Sequence, residues 1–254
     1  GLNFSMEGWT YGEEAKDPSY DAIPSDVNSN QIEYTYYEGS STSGTQLSGK
    51  PKDAGTYCVQ IHVPESENYD EIYDAAVFII SPAQLTVSEG GWTSTADLVY
   101  IGSSQEIVIE QLNGIADNDE YGYNDTLASL NISYQYAGAN YSSAAAPSDA
   151  GSYTVTATID NDNYYFGELN APKKSVSLQY TIAQAELTIK AVDVPDVVYG
   201  TDAEEVKAKF TVTYDGLVEA DRNGSDGNYT PKDGVLSGTL VYDGSYTAAS
   251  VVDT

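Results

Sequence analysis

A lone cysteine and a lone histidine, Cys58 and His62, stand four residues apart in TYCVQIHV. A thiol beside an imidazole is the pairing that nucleophilic catalysis uses. The alternation around them reads as a strand, which spaces the two by roughly 13 Å, whereas a base must come within about 3 Å of its nucleophile. The pair is therefore expected to be inert, with both side chains on the outer face of a strand. One cysteine and one histidine also leave a zinc or copper site almost without ligands. The 39 acidic residues contain carboxylates enough for glycoside hydrolysis, but their abundance singles out no pair, and a solvated acidic surface is the plain reading. No Gly-rich phosphate loop or nucleophile elbow is present. No catalytic residue is expected, and the chain reads as a non-enzyme.

Calcium needs oxygen ligands, and three stretches offer them: DNDE (117–120), DNDN (160–163) and DRNGSDGN (221–228). Asp117, Asp119, Asp160, Asp162, Asp221 and Asn223 are the weak candidates for a structural calcium ion. The last stretch opens like an EF-hand loop, but Gly227 sits one place late and Lys232 holds the position of the glutamate. Plain turns, in which Asp and Asn bond their own backbone, are the simpler use of such residues. No cofactor is expected.

The 23 tyrosines offer a different chemistry, because exposed aromatic rings stack on sugars. Alternation puts Tyr34 and Tyr36 on one face, as expected of core. Tyr37 and Tyr165 are left as the exposed rings that could touch a glycan.

Elements must hold these residues, and composition says which kind. Tyr, Gly, Ser, Thr, Asn and Asp dominate, a usage that favours strands and turns. No segment keeps helical apolar spacing over three turns, while Thr56 to Val63, Ile107 to Ile109, Thr154 to Ile159 and Lys209 to Tyr214 alternate. The chain is predicted to be all-β. Its 254 residues leave room for two or three domains. A formal charge of −29 repels phosphate backbones and anionic lipid, so no nucleic-acid partner is expected. No apolar run approaches the roughly 20 residues of a membrane span. The opening Gly1-Leu2-Asn3 is unlike a secretory leader, and the sequence reads as a piece of a longer chain.

Internal repetition is the strongest signal. PKDAGTYCVQIHV (51–63) returns as PSDAGSYTVTATI (147–159) at a constant offset of 96 residues. A tyrosine-rich strand precedes each copy, IEYTYY (32–37) and ISYQYA (132–137), and an Asn-Tyr turn follows, Asn68-Tyr69 and Asn163-Tyr164. FIISPAQLTV (78–87) and YTIAQAELTI (180–189) then lead into the next unit. A second marker, Tyr11-Gly12, the looser Tyr100-Ile101-Gly102, and Tyr199-Gly200, recurs at matching places. Three units follow: 1–82, 83–184 and 185–254, the third ending at Val252-Asp253-Thr254, where the next corner would begin, and so expected to lack its last strands.

Asp-x-Gly-x-Tyr is also how an immunoglobulin domain marks the strand of its second disulfide cysteine, but here Cys58 arrives one residue early. It stands where the other copy has Thr154. Asp53, Gly55 and Tyr57, with Asp149, Gly151 and Tyr153, suit a tyrosine corner, in which the glycine permits the turn, the ring packs inward and the hydroxyl bonds back to nearby backbone. Tandem immunoglobulin-like sandwiches are the expected architecture, with β-grasp-like repeats as the alternative.

The Tyr-Gly marker, FTVTYDGLVEAD (210–221), LSGTLVY (236–242) and the repeated Asp-Ala-Gly-x-Tyr resemble the tandem repeats of bacterial cell-surface proteins, in particular the MBG (YGX-type) and related bacterial immunoglobulin-like repeats. What this resemblance implies is an extracellular stalk or adhesin segment, secreted or attached to the cell surface, and it implies no ligand. Short joins such as Ser81-Pro82-Ala83, where one strand runs straight into the next unit, favour a semi-rigid rod. The competing expectation is a module that binds carbohydrate, host glycans or surface glycoproteins through exposed aromatics.

Overall fold

A computed structural model describes residues 2–193, 195–198, 200–224 and 229–238. Among these the chain runs through β1 (Trp9–Thr10), β2 (Glu33–Glu38), β3 (Gly55–Val63) and β4 (Ile72–Ser81). It continues with β5 (Ala83–Val87), β6 (Leu112–Asn113), β7 (Asp117–Asn118), β8 (Tyr123–Asn124), β9 (Ser133–Gly138) and β10 (Tyr141–Ser143). Then come β11 (Gly151–Thr158), β12 (Tyr164–Glu168), β13 (Ala171–Lys173), β14 (Ser175–Ile182) and β15 (Thr188–Ala191). A five-residue helix, α1 (Ala203–Lys207), precedes β16 (Val212–Asp215), β17 (Arg222–Asn223) and β18 (Thr230–Pro231). The fold is all-β. The described residues pack as two compact units, one within Gly1–Ser94, Ile107–Gln135 and Val155–Leu178, the other within Thr95–Glu106, Tyr136–Thr154 and Gln179–Thr254.

In the first unit, β1-β4-β3-β2 form a sheet in which β1 lies parallel to β4 and the remaining neighbours are antiparallel. Alternation along β3 buries Val59, Ile61 and Val63 on one face, where Tyr36, Phe78 and Ile80 join them. That face is closed by Leu2, Met6 and Trp9, with Phe4, Tyr20, Ile23, Val27 and Leu47 packed around them. The cover is therefore irregular chain instead of a second full sheet. The segment 2–32 is punctuated by Gly, Pro, Ser and Asp and keeps no period of two, so apart from β1 it makes only a single bridge, Ser5 to Ser19.

The same unit holds the sheet β13-β12-β5-β6, in which β5 and β12 are parallel. Leu85, Leu130, Tyr164 and Phe166 fill its core. In the second unit, β10 pairs with the end of β9, Val99 bridges Ala183 in parallel, and β15 pairs with β16. The expected break at Val252-Asp253-Thr254 lies outside the described residues.

Gly114 and Gly216 repeat one local device. Both have φ in the left-handed region, +90° and +94°, which glycine alone adopts freely. A Cβ would strike the carbonyl oxygen of Gln84 at the first and of Glu186 at the second. The neighbouring registers agree as well, Thr86 opposite Asn113 and Thr188 opposite Asp215.

Candidate functional site

The two sequence corners have the same geometry. Tyr57 donates its hydroxyl to the carbonyl of Asp53 at 3.0 Å, and Tyr153 donates to that of Asp149 at 2.9 Å. Each ring lies against an aromatic of the following sheet strand, Tyr57 on Phe78 at 5.7 Å and 31°, Tyr153 on Tyr180 at 5.8 Å and 32°. The glycines serve differently from the expectation. Neither Gly55 nor Gly151 has positive φ. Instead, a Cβ at either would press on the tyrosine ring within 3.0–3.4 Å, so glycine is there to let the ring fold back over the backbone. Tyr153 is buried and Tyr57 only half-buried, so water replaces the lost bond more easily at Tyr57. Tyr153→Phe is expected to lower the unfolding free energy by about 1 kcal/mol and Tyr57→Phe by less, read from urea midpoints at unchanged m-value.

Each corner adjoins a junction built on the Tyr-Gly marker. In the first unit, the edge strand β1 delivers Tyr11, whose N–H donates to the carbonyl of Ser81 at 2.8 Å. Its hydroxyl donates to Asp125 Oδ2 at 2.8 Å, and Tyr164 donates to the same oxygen at 2.6 Å. The Tyr164 oxygen in turn accepts the N–H of Ala116 at 2.9 Å. The rings of Tyr11, Tyr123 and Tyr164 meet edge to face. Beside them the carboxamide of Asn163 clasps the corner, accepting the N–H of Ala54 at 2.7 Å and donating to Asp53 Oδ1 at 2.9 Å. Tyr123 also donates to the carbonyl of Lys52 at 3.4 Å.

The second unit repeats part of the scheme, the marker tyrosine with an acceptor aspartate. The N–H of Tyr100 donates to the carbonyl of Ala183 at 2.8 Å, and its hydroxyl bonds the side chain of Asp221. Gly12 and Gly102 follow these tyrosines with positive φ, and a Cβ on them would strike Ala116 and Ala220. Each tyrosine also feels the charge of the neighbouring corner aspartate, Asp53 for Tyr11 and Asp149 for Tyr100.

This environment sets a pH response. Burial first, then the hydrogen bond and charge of Asp125, raise the Tyr11 and Tyr164 hydroxyls far above the ordinary 10.0. Burial likewise raises Tyr180 and pushes Tyr36 up to about 12. A phenol whose folded pKa exceeds its unfolded value stabilises the fold below the unfolded pKa, and that contribution drains away as pH rises through the folded one. Stability is therefore expected to be insensitive to these groups below about pH 10 and to fall steeply above it. A tyrosinate absorbance titration checks this: Tyr11, Tyr164 and Tyr180 should ionise only with loss of the fold.

The remaining candidates fall elsewhere. Cys58 points to the outer face yet is buried, 2% exposed, because β3 is central and Tyr37 and Val77 flank the small thiol in register. Burial raises its pKa, which makes it a poor nucleophile. His62 stacks on Tyr73 at 4.4 Å and contacts Glu71 and Glu33. Tyr37 is half-buried and donates to Gln60 at 3.4 Å. Tyr165, expected to be exposed, is buried. β12 is flanked by β13 and β5 and covered on both faces, so Tyr164, Tyr165 and Phe166 are buried consecutively.

Asp221 is engaged by Tyr100, Asp162 pairs with Lys174 at 3.2 Å, and the carbonyl of Asp119 accepts the N–H of Gly122. Asn223 donates from Nδ2 to Pro231, Asp117 lies in β7, and Asp160 is exposed. Among the described residues no three Asp, Glu, His or Cys side chains are placed to hold a metal ion. Asp125, and the clasping role of Asn163 within its Asn-Tyr turn, are what sequence reasoning missed.

Residues 125–168 match the MBG domain family, a stretch that begins at Asp125 and contains the second corner, Asn163 and Tyr164. Among curated proteins, none matches the chain.

Proposed function

We propose that this chain is a non-catalytic repeat module of a bacterial surface protein, an extracellular stalk or adhesin segment made of copies at 1–82, 83–184 and 185–254. In this reading Tyr11 and Asp53 of the first copy lock onto Asp125, Asn163 and Tyr164 of the second. Tyr100 of the second locks onto Asp221 of the third. The observation that carries it is the recurrence of one arrangement, corner aspartate, marker tyrosine and acceptor aspartate, at two places with different surrounding sequence. A repeat array gains stiffness from such nearest-neighbour contacts. The MBG match supports the surface-protein class, and the buried thiol of Cys58 supports the non-catalytic reading.

The test is twofold. Antibodies raised against the purified chain should label intact cells of the source organism, and labelling only after permeabilisation would overturn the surface assignment. On a glycan array the chain should bind nothing reproducibly. Binding that disappears in Tyr37→Ala would replace the spacer reading with a carbohydrate-binding one.

A further inference from the structure

Strand β4 is ten residues long, but among the described residues its strand neighbour on one side is the two-residue β1, paired at Ile80 and Ser81. The carbonyl of Ser81 faces that side, since it accepts the N–H of Tyr11. On a strand the backbone groups of alternate residues point the same way, so those of Tyr73, Ala75, Val77 and Ile79 line the same edge, with Gly8 lying against the Ile79 carbonyl and Tyr73 to Val77 left beyond it. The Ala75 N–H there is met by the Asp74 carboxylate at 2.9 Å. The side chains of these four residues share the solvent face, and Tyr73, Val77 and Ile79 are 54%, 49% and 54% exposed.

The fold does not require them to be apolar. At the matching places β14 carries Ser175, Ser177, Gln179 and Thr181. The edge also lacks lysine and proline, the residues with which proteins guard open strands. Acid surrounds its start: Glu65, Glu67, Asp70, Glu71 and Asp74 precede or lie within the strand, and Glu33 reaches toward His62.

We propose that the β4 edge is a docking site for an extended basic segment of another protein. The segment adds as a strand beside Tyr73 to Val77, stopping short of Ile79, whose backbone Gly8 already covers; it lays alternate apolar side chains over Tyr73 and Val77 and places Lys or Arg against Glu71 and Asp74. Backbone hydrogen bonds give such strand addition its affinity, and the alternate side chains give its selectivity. A second copy of this chain is a poor occupant, because pairing β4 with β4 would oppose the same carboxylates in a molecule of charge −29.

The test uses the full chain and three labelled ten-residue peptides: alternating Val and Thr flanked by Lys, the same core flanked by Glu, and the Lys-flanked peptide with a central proline. The Lys-flanked peptide is expected to bind at least tenfold tighter than either control by fluorescence anisotropy, more weakly at high salt, and to protect the amides of Tyr73 and Val77 from hydrogen exchange. The triple variant Tyr73→Ser, Val77→Gln, Ile79→Thr, which copies β14, should stay folded by circular dichroism and lose that binding. Val77→Pro removes only an outward N–H and should do the same. Equal binding of all three peptides, no binding of the Lys-flanked one, or protection elsewhere on the chain would overturn the proposal. So would self-association of the chain abolished by the triple variant.

Discussion

Asp125→Ala is expected to lower the unfolding free energy by about 3–5 kcal/mol, because hydrogen bonds to a charged acceptor contribute about 1.5–3 kcal/mol each and stranded buried donors add a penalty. One carboxylate oxygen accepts from both Tyr11 and Tyr164, and Tyr164 is fully buried. Alanine leaves both hydroxyls in a space lined by the Tyr123 ring, with only the Ala116 N–H still engaged. Asp125→Asn keeps an acceptor of the same shape and should cost roughly 1–2 kcal/mol, the charge-assisted part alone. A double-mutant cycle of Asp125→Ala with Tyr11→Phe, measured in urea, should return a coupling of about 1–3 kcal/mol. Additivity within about 0.5 kcal/mol would show that the junction is not a bonded unit.

Gly114→Ala should destabilise by about 2–5 kcal/mol, the sum of forcing an L-residue into the left-handed region and of overpacking. At φ +90° the added methyl points into the carbonyl oxygen of Gln84. That oxygen belongs to β5, held between β12 and β6, so the backbone cannot retreat without loosening two strand pairings. Gly216→Ala meets the equivalent oxygen of Glu186 and should show the same sign. Gly90→Ala is the control, since its φ is also positive, +71°, but no atom lies within 4 Å of its Cβ position. It should cost about 1–2 kcal/mol. Thermal unfolding separates the three, and equal losses at Gly90 and Gly114 would remove the carbonyl clash from the account.

Much of the fold was legible because strand periodicity is local. The run Thr56 to Val63 alternates in sequence, and its Val59, Ile61 and Val63 are buried as that alternation requires. The corner was legible too, since a ring that bonds four residues back needs no distant partner. The role of its glycine was not, because the contact of Gly55 with the Tyr57 ring depends on how the ring folds over the turn. Tyr164-Tyr165 defeated alternation, as a strand covered on both faces has no exposed side to reveal. Cys58 likewise lies on the face that alternation assigns, and is buried by Tyr37 and Val77, which only the register sets beside it.

By itself, then, the chain's order of residues determined its β character and its repeated corners, both of which follow from side-chain period and spacing. Tertiary structure alone decided that Asp125 and Asn163, two among many ordinary acidic and amide residues, become the acceptor of two tyrosines and the clasp of a corner. The partners of Asp125 stand 114 and 39 residues away, and no local pattern records which surface carboxylate the folded backbone carries to a buried hydroxyl.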